Sequence, residues 1–198
     1  MIQFTSKRNN VYMKEGLVYK ECRTNFQADF EGRYLTRLKD KGVSVPELVG
    51  LRDNILILEY IKGETIPDFL EYKRSQKNCE RIADDIVEWF IGFYAAVEHD
   101  GCGEIRGDVN GRNFIITDEK VFGVDFESST TGEIVTDLGR FLAYVSTYTL
   151  KDTAVRDNLY TLLMDRFIKV FSIGKAEIQE AMTLEISSMN LRRRVSDH

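Results

Sequence analysis

Asp108, Asn113 and Asp125 are the residues of this chain whose types and spacing could do chemistry. They fall in two short stretches, Arg106-Gly107-Asp108-Val109-Asn110-Gly111-Arg112-Asn113 and Val124-Asp125-Phe126-Glu127. A carboxylate, an amide five residues on, and a second carboxylate beyond one apolar hairpin are the parts needed to move a phosphoryl group from a metal-bound nucleotide. That transfer needs an acceptor oxygen held in line and the phosphate charge neutralised. Asp108 suits the hydroxyl-orienting role. Asn113 and Asp125 supply hard oxygens of the kind that Mg²⁺ or Mn²⁺ prefers. A lone Gly-Asp marks a turn, and an Asp after an apolar strand usually ends it, so the reading rests on the three residues together.

Lys20 closes the short run Leu17-Val18-Tyr19-Lys20. A lysine that reaches nucleotide phosphates is held by a carboxylate from the next helix. Glu31 can supply it, because Glu31 and Leu35 are one helical turn apart and Leu38 follows, at the edge of the buried face. Asp29, displaced by two residues, points elsewhere.

The elements that must position these residues are visible in the periodicity. Asn10 to Met13 and Leu17 to Cys22 read as a hairpin turning at Lys14-Glu15-Gly16. A helix is expected from about Gln27 to Lys41, ended by Gly42. Strands follow at Glu47 to Leu51 and Ile55 to Tyr60, then a short connector Lys62-Gly63-Glu64. Helices are expected at Thr65 to Tyr72 and at Cys79 to His99, the latter with Ile82, Ile86, Phe90, Phe93, Tyr94 and Val97 on one face. A hairpin (Phe114 to Thr117, Val121 to Val124) precedes helices at Thr136 to Leu150, Thr153 to Phe171 and Lys175 to Asn190. Strands gathered first and helices after them indicate α+β rather than a doubly wound sheet. The break falls near Ile61-Lys62-Gly63, giving a small unit at 1–61 and a larger one at 62–198.

Composition narrows the function classes. The 198 residues, 43% hydrophobic and 30% charged, suffice for one large domain or two small lobes. Three widely spaced cysteines (Cys22, Cys79, Cys102) without a CxxC pair argue against a disulfide framework or a zinc site, and fit a reducing, cytoplasmic setting. The N-terminus lacks the apolar core of a signal peptide, and no apolar run reaches membrane-spanning length. A net charge of −5 gives no help in binding nucleic acid or anionic lipid, so neither is expected as a primary partner. Arg192-Arg193-Arg194 reads as a solvated tail.

In this order the motifs resemble the protein-kinase-like superfamily, and within it the compact non-classical branch. That branch holds aminoglycoside and choline phosphotransferases, lipopolysaccharide-type kinases and RIO-type atypical kinases. Asn10-Val11-Tyr12 and Val18-Tyr19-Lys20 resemble the opening strands of the phosphotransferases. Glu31 to Pro46 is similar to the helix-to-strand passage of RIO-type enzymes, and Ile57-Leu58-Glu59-Tyr60-Ile61 resembles the interlobe segment. The resemblance spans about Asn10 to Val145. It implies a bilobal α+β fold with a small antiparallel-sheet N-lobe carrying one helix and a reduced helical C-lobe. It implies ATP with Mg²⁺ or Mn²⁺, adenine against the backbone of Glu59, Tyr60 and Ile61, and phosphates against Lys20 and Ser6. It also makes Asp137 the buried brace of the catalytic loop, with Arg106 and Glu127 in supporting places.

Three features depart from the pattern. Ser6-Lys7-Arg8-Asn9-Asn10 stands where a glycine-rich phosphate loop is usual, Arg106 stands for the usual His, and Glu127 for the usual Gly. Glu127 is the pattern of small-molecule phosphotransferases. The resemblance implies a hydroxyl acceptor, either of a small molecule or of a protein serine. The alternative is a pseudokinase, a nucleotide-binding or scaffold module without turnover, which the missing glycines and Arg106 favour and the retained Lys20, Asp108, Asn113 and Asp125 oppose.

Overall fold

Alternation of apolar and polar residues in the first sixty positions builds an antiparallel sheet. The computed structural model describes residues 2–4, 9–72, 76–98, 103–127, 130–150 and 153–196, side chains at 76, 77, 195 and 196 excepted. Ser6, His99, Cys102 and His198 lie outside the described residues. The sheet comprises β1 (Ile2–Phe4), β2 (Asn10–Lys14), β3 (Leu17–Glu21), β4 (Leu48–Arg52) and β5 (Ile55–Glu59) in the order β1-β2-β3-β5-β4. Two-residue connections, Glu15-Gly16 and Asp53-Asn54, fix the registers Lys14↔Leu17 and Arg52↔Ile55. The central pairing of β3 with β5 sets Lys20 opposite Leu56, which is fully buried.

Helix α1 (Asn25–Asp40) begins earlier than its apolar period suggests, because Thr24 caps it by accepting from the Gln27 amide at 3.2 Å. It covers the sheet with Ala28, Glu31, Gly32, Tyr34, Leu35 and Leu38.

The rest is helical: α2 (Ile66–Tyr72), α3 (Gln76–Ala96), α4 (Ile134–Thr147), α5 (Ala154–Phe171) and α6 (Lys175–Ser196). Between α3 and α4 runs a polar-rich stretch of short strands. These are β7 (Gly103–Ile105), β8 (Phe114–Ile116), β9 (Val121–Gly123) and β10 (Thr130–Gly132), with a single 3-10 turn at Gly111–Asn113. Strand β6 (Glu64–Thr65) pairs with β8, so Glu64 is not part of a bare connector and α2 starts at Ile66. Helix α3 ends at Ala96, and Glu98 beyond it has φ +55°. Helix α4 stops at Thr147 rather than Leu150. Helix α6 runs on through the three arginines taken above for a tail.

Aromatic rings lock the helices together. Trp89 and Phe90 of α3, Phe114 of β8, Phe141 of α4 and Phe167 of α5 are buried. Their contacts are mainly edge-to-face, with centroids 5.0 Å apart for Trp89–Phe114 and 5.2 Å for Phe114–Phe141. One carbonyl ties the sheet side to this core: Ser44 accepts from the Trp89 indole at 2.9 Å and from the Gly123 amide at 3.0 Å. Among the described residues no helix is long and apolar enough to cross a membrane.

Helices α4 and α6 approach closely at Gly139, where an added Cβ would stand 2.4 Å from the Cβ of Ala181. Gly139→Ala would gain about 1 kcal/mol of helix propensity and lose roughly 1–3 kcal/mol to overpacking. Net destabilisation is expected in urea unfolding; a more stable variant would mean that the two helices separate freely.

Candidate active site

The site is built where the sheet meets the polar stretch. Lys20 points inward from β3 and is buried together with Glu31 of α1. Its ammonium pairs with the Glu31 carboxylate at 2.8 Å, with Asp125, and with Glu127 at 3.3 Å. Glu31 also accepts from the Phe126 amide at 2.9 Å. Asp29 instead lies on the outer side of α1, paired with Arg33. Burial disfavours the charge on Lys20, but Glu31 and Asp125 outweigh it and hold the ammonium above its ordinary pKa. Burial pushes the Glu31 carboxyl up, against the pull of Lys20. The nearby Cys22 thiol is pushed up to about 11, by burial and then by Glu31.

Asp125 leaves β9 with φ +67°, a left-handed conformation that is strained for any residue but Gly, Asn or Asp. The turn aims its carboxylate back at Lys20 while keeping it exposed to solvent. Asn9, ahead of β2, donates to Glu127 and so ties the start of the sheet to the same cluster.

The Asp108 loop is fixed from behind. Asp137, with no exposed surface, accepts from the Arg106 amide at 2.8 Å, the Gly107 amide at 2.9 Å and the Tyr94 hydroxyl at 3.1 Å. Gly107 has φ +76° and its Cα faces Thr130, so a side chain there would be both strained and crowded. Arg106 is buried with its guanidinium 4.2 Å from the Phe126 ring centroid. Its Nε donates to the Asp108 carbonyl at 3.0 Å and its Nη2 to the Val124 carbonyl. The arginine therefore links the two motif stretches through backbone, which a shorter His could not do in the same way. Burial lowers its pKa, and Asp108, Asp125 and Asp137 oppose that shift. Asn113 donates its amide to the Asp108 carbonyl at 3.3 Å, leaving the other end of the amide, an oxygen, to serve a ligand.

Asp108 and Asp125 open on one cleft of about 440 Å³. Its floor adds side chains that the sequence reading passed over, among them Arg140 and Tyr144 of α4 and Glu185 and Arg192 of α6. Arg192 is exposed, as are Arg193 and Arg194, yet its guanidinium pairs with the buried Glu185 at 2.6 Å. No local pattern marks Glu185, whose partners are Arg140 on another helix and Arg192 seven residues on along its own.

Glu59, Tyr60 and Ile61 stand apart from this cluster. Glu59 pairs with Leu17, about 10 Å along the sheet from Lys20. The Glu59 carboxylate accepts from the Glu47 amide at 3.1 Å, Tyr60 stacks on Phe4, and Ile61 is buried.

A family model described as "RIO domain" matches residues 6–135. The chain is 27% identical over 155 residues to the EKC/KEOPS complex subunit bud32 of Dictyostelium discoideum, covering 76% of this chain and 60% of that protein. It is 31% identical over 101 residues to the KEOPS complex subunit Bud32 of Pyrococcus abyssi, covering 48% and 41%. It thus spans between about two fifths and three fifths of these relatives' length. In three dimensions it matches the ADP-bound aminoglycoside phosphotransferase APH(2'')-Ib with a TM-score of 0.65 at 14% identity, over 91% of this chain and 80% of that one. A thermostable mutant of APH(4)-Ia matches with a TM-score of 0.67 at 11% identity, over 99% and 87%. The fold is therefore the protein-kinase-like α+β fold.

Lys20→Met would leave Glu31 buried without the cation that opposes its upward shift. A carboxyl whose folded pKa exceeds its unfolded value adds stability below the unfolded value and loses it as pH rises through the folded one. The variant should lose roughly 3–5 kcal/mol near neutral pH. Its deficit against the parent should narrow as pH falls and Glu31, its carboxyl pushed up by burial, takes up a proton. Adding Glu31→Gln should recover most of the loss. Urea titrations at two pH values decide this, and a pH-independent deficit would show that Lys20 does not control Glu31.

Proposed function

This chain belongs to the RIO domain family, and from that premise we propose that it is an ATP-dependent phosphotransferase, moving the γ-phosphoryl group to a hydroxyl of a small molecule or of a protein serine. The observation that carries the reading is Lys20, a buried cation held by Glu31 at 2.8 Å with its ammonium against Asp125. A scaffold has no need of a desolvated lysine fixed between an inner carboxylate and one that faces a cleft. On this reading residues 1–61 form the N-lobe and 62–198 the C-lobe, with the nucleotide between them.

Lys20 would hold the phosphates, and the backbone of Glu59 to Ile61 would receive the adenine. Asp108, exposed on the cleft, would orient the acceptor hydroxyl and take its proton. The hydroxyl oxygen forms a bond to the γ-phosphorus, the bond from that phosphorus to the β,γ-bridging oxygen breaks, and ADP leaves. Asn113 and Asp125, two hard-oxygen donors, would hold Mg²⁺ or Mn²⁺. Such an ion would neutralise phosphate charge. Arg106 and Asp137 keep the loop rigid, so that Asp108 need not reorganise during transfer.

The curated relatives are named as complex subunits, so a protein partner is part of this proposal. Free, buried Cys22 and Cys79 support a reducing, cytoplasmic setting.

Thermal unfolding with ATP and Mg²⁺ tests nucleotide binding. A ligand at about a hundred times its dissociation constant should add roughly 2.7 kcal/mol to the parent, and Asp125→Ala should lose most of that gain. No shift for the parent would sink the proposal. Asp108→Asn should keep the shift and lower turnover roughly 10²–10⁴-fold. Binding together with turnover indifferent to Asp108 would point to the pseudokinase.

A further inference from the structure

The RIO match ends at residue 135, yet the cleft floor beside Asp108 is made by residues beyond it. One of them is out of place for its chemistry. Glu185 lies on α6, is 7% exposed, and has both oxygens engaged by arginine. Arg192, on the same helix, approaches at 2.6 Å, and Arg140 of α4 at 3.4 Å through its Nε. Arg140 then reaches on: its Nη1 donates to the Gly107 carbonyl at 3.3 Å.

The peptide groups around Gly107 are thus held from two sides. Asp137 takes the Gly107 amide, and Arg140 takes its carbonyl. That carbonyl belongs to the peptide joining Gly107 to Asp108, so its rotation sets the direction in which Asp108 projects. Gly107 is the one residue of the loop at positive φ and has no side chain to resist rotation. A long arginine side chain has rotamer freedom of its own unless something fixes it. Glu185 does so from a helix that is closely packed on α4, since even an added Cβ at Gly139 would meet Ala181 at 2.4 Å.

We propose that Glu185 is a positioning residue: held against Arg140 and Arg192, it fixes Arg140 on the Gly107 carbonyl and so aims Asp108 into the cleft. The inference rests on the phosphotransferase reading for its kinetic consequence, but its structural content stands apart from it. The last helix is then part of the site's machinery, contributing through a charge relayed by one arginine. A plain α4–α6 staple would have no reason to place its arginine on the Asp108 loop.

Glu185→Gln keeps the shape and removes the charge. Asp108-dependent ATP turnover should fall about tenfold, with KM for ATP changed by less than about twofold because the Lys20 cluster is untouched. The Asp108 amide, which shares the peptide held by Arg140 and bonds to the Arg106 carbonyl at 2.9 Å, should exchange with solvent about tenfold faster by ¹⁵N NMR, while the Leu56 amide in the central sheet keeps its protection. Arg140→Met combined with Glu185→Gln should be no slower than Arg140→Met alone, since both act through one contact. A variant that melts earlier but keeps turnover and Asp108 amide protection would reduce Glu185 to a helix staple, as would additive losses in the pair. If the parent shows no Asp108-dependent turnover, the functional reading falls, and the Asp108 amide exchange still decides the structural claim.

Discussion

The buried ion pair of Lys20 and Glu31 is the constraint on which the rest depends. Two charges removed from water are tolerable only when each is matched closely and the spare hydrogen-bonding capacity is used. Glu31 meets that condition by gripping Lys20 at 2.8 Å and the Phe126 amide at 2.9 Å. Those contacts belong to β3, α1 and the segment after β9. The same condition that keeps the charges stable therefore brings the sheet, its helix and the Asp125 turn to one point. Asp125, in its left-handed turn, then completes the surroundings of the ammonium from the solvent side.

A second buried carboxylate does comparable work behind the Asp108 loop. Asp137 is enclosed and takes three donors, two of them backbone amides of the loop that carries Asp108. Burial raises its pKa, and those donors oppose the rise. Arg106 joins the two systems by bonding to backbone carbonyls of both motif stretches while lying over Phe126. It stands where His is usual in the resembling families. Here its extra length reaches from one strand to the next, so the replacement changes how the loop is tied without leaving it untied.

Much of the fold was legible because it is written in local periodicity. The two hairpins of the sheet and the long apolar face of α3 follow from alternation and helical spacing. The inward place of Glu31 follows from its position one turn before Leu35. What was not legible has equally physical reasons. Strands β6, β7 and β10 have two or three residues, too few to show a period. Helix α1 starts early because a Thr24 side chain caps it, and α6 continues past Asn190 through residues whose charge suggested solvent.

The sequence alone determined the class of fold, the order of its elements, and a set of polar residues whose types suit metal-assisted phosphoryl transfer. Those properties depend on residue type and near-neighbour spacing, which survive in a linear string. The tertiary structure decided which charges meet. Lys20 and Asp125 lie 105 residues apart and share one contact. Glu185 and Arg140 come from different helices. Asn9 and Glu127 stand at opposite ends of the matched region. Charge pairing falls off over a few ångströms, and only the folded chain sets those distances.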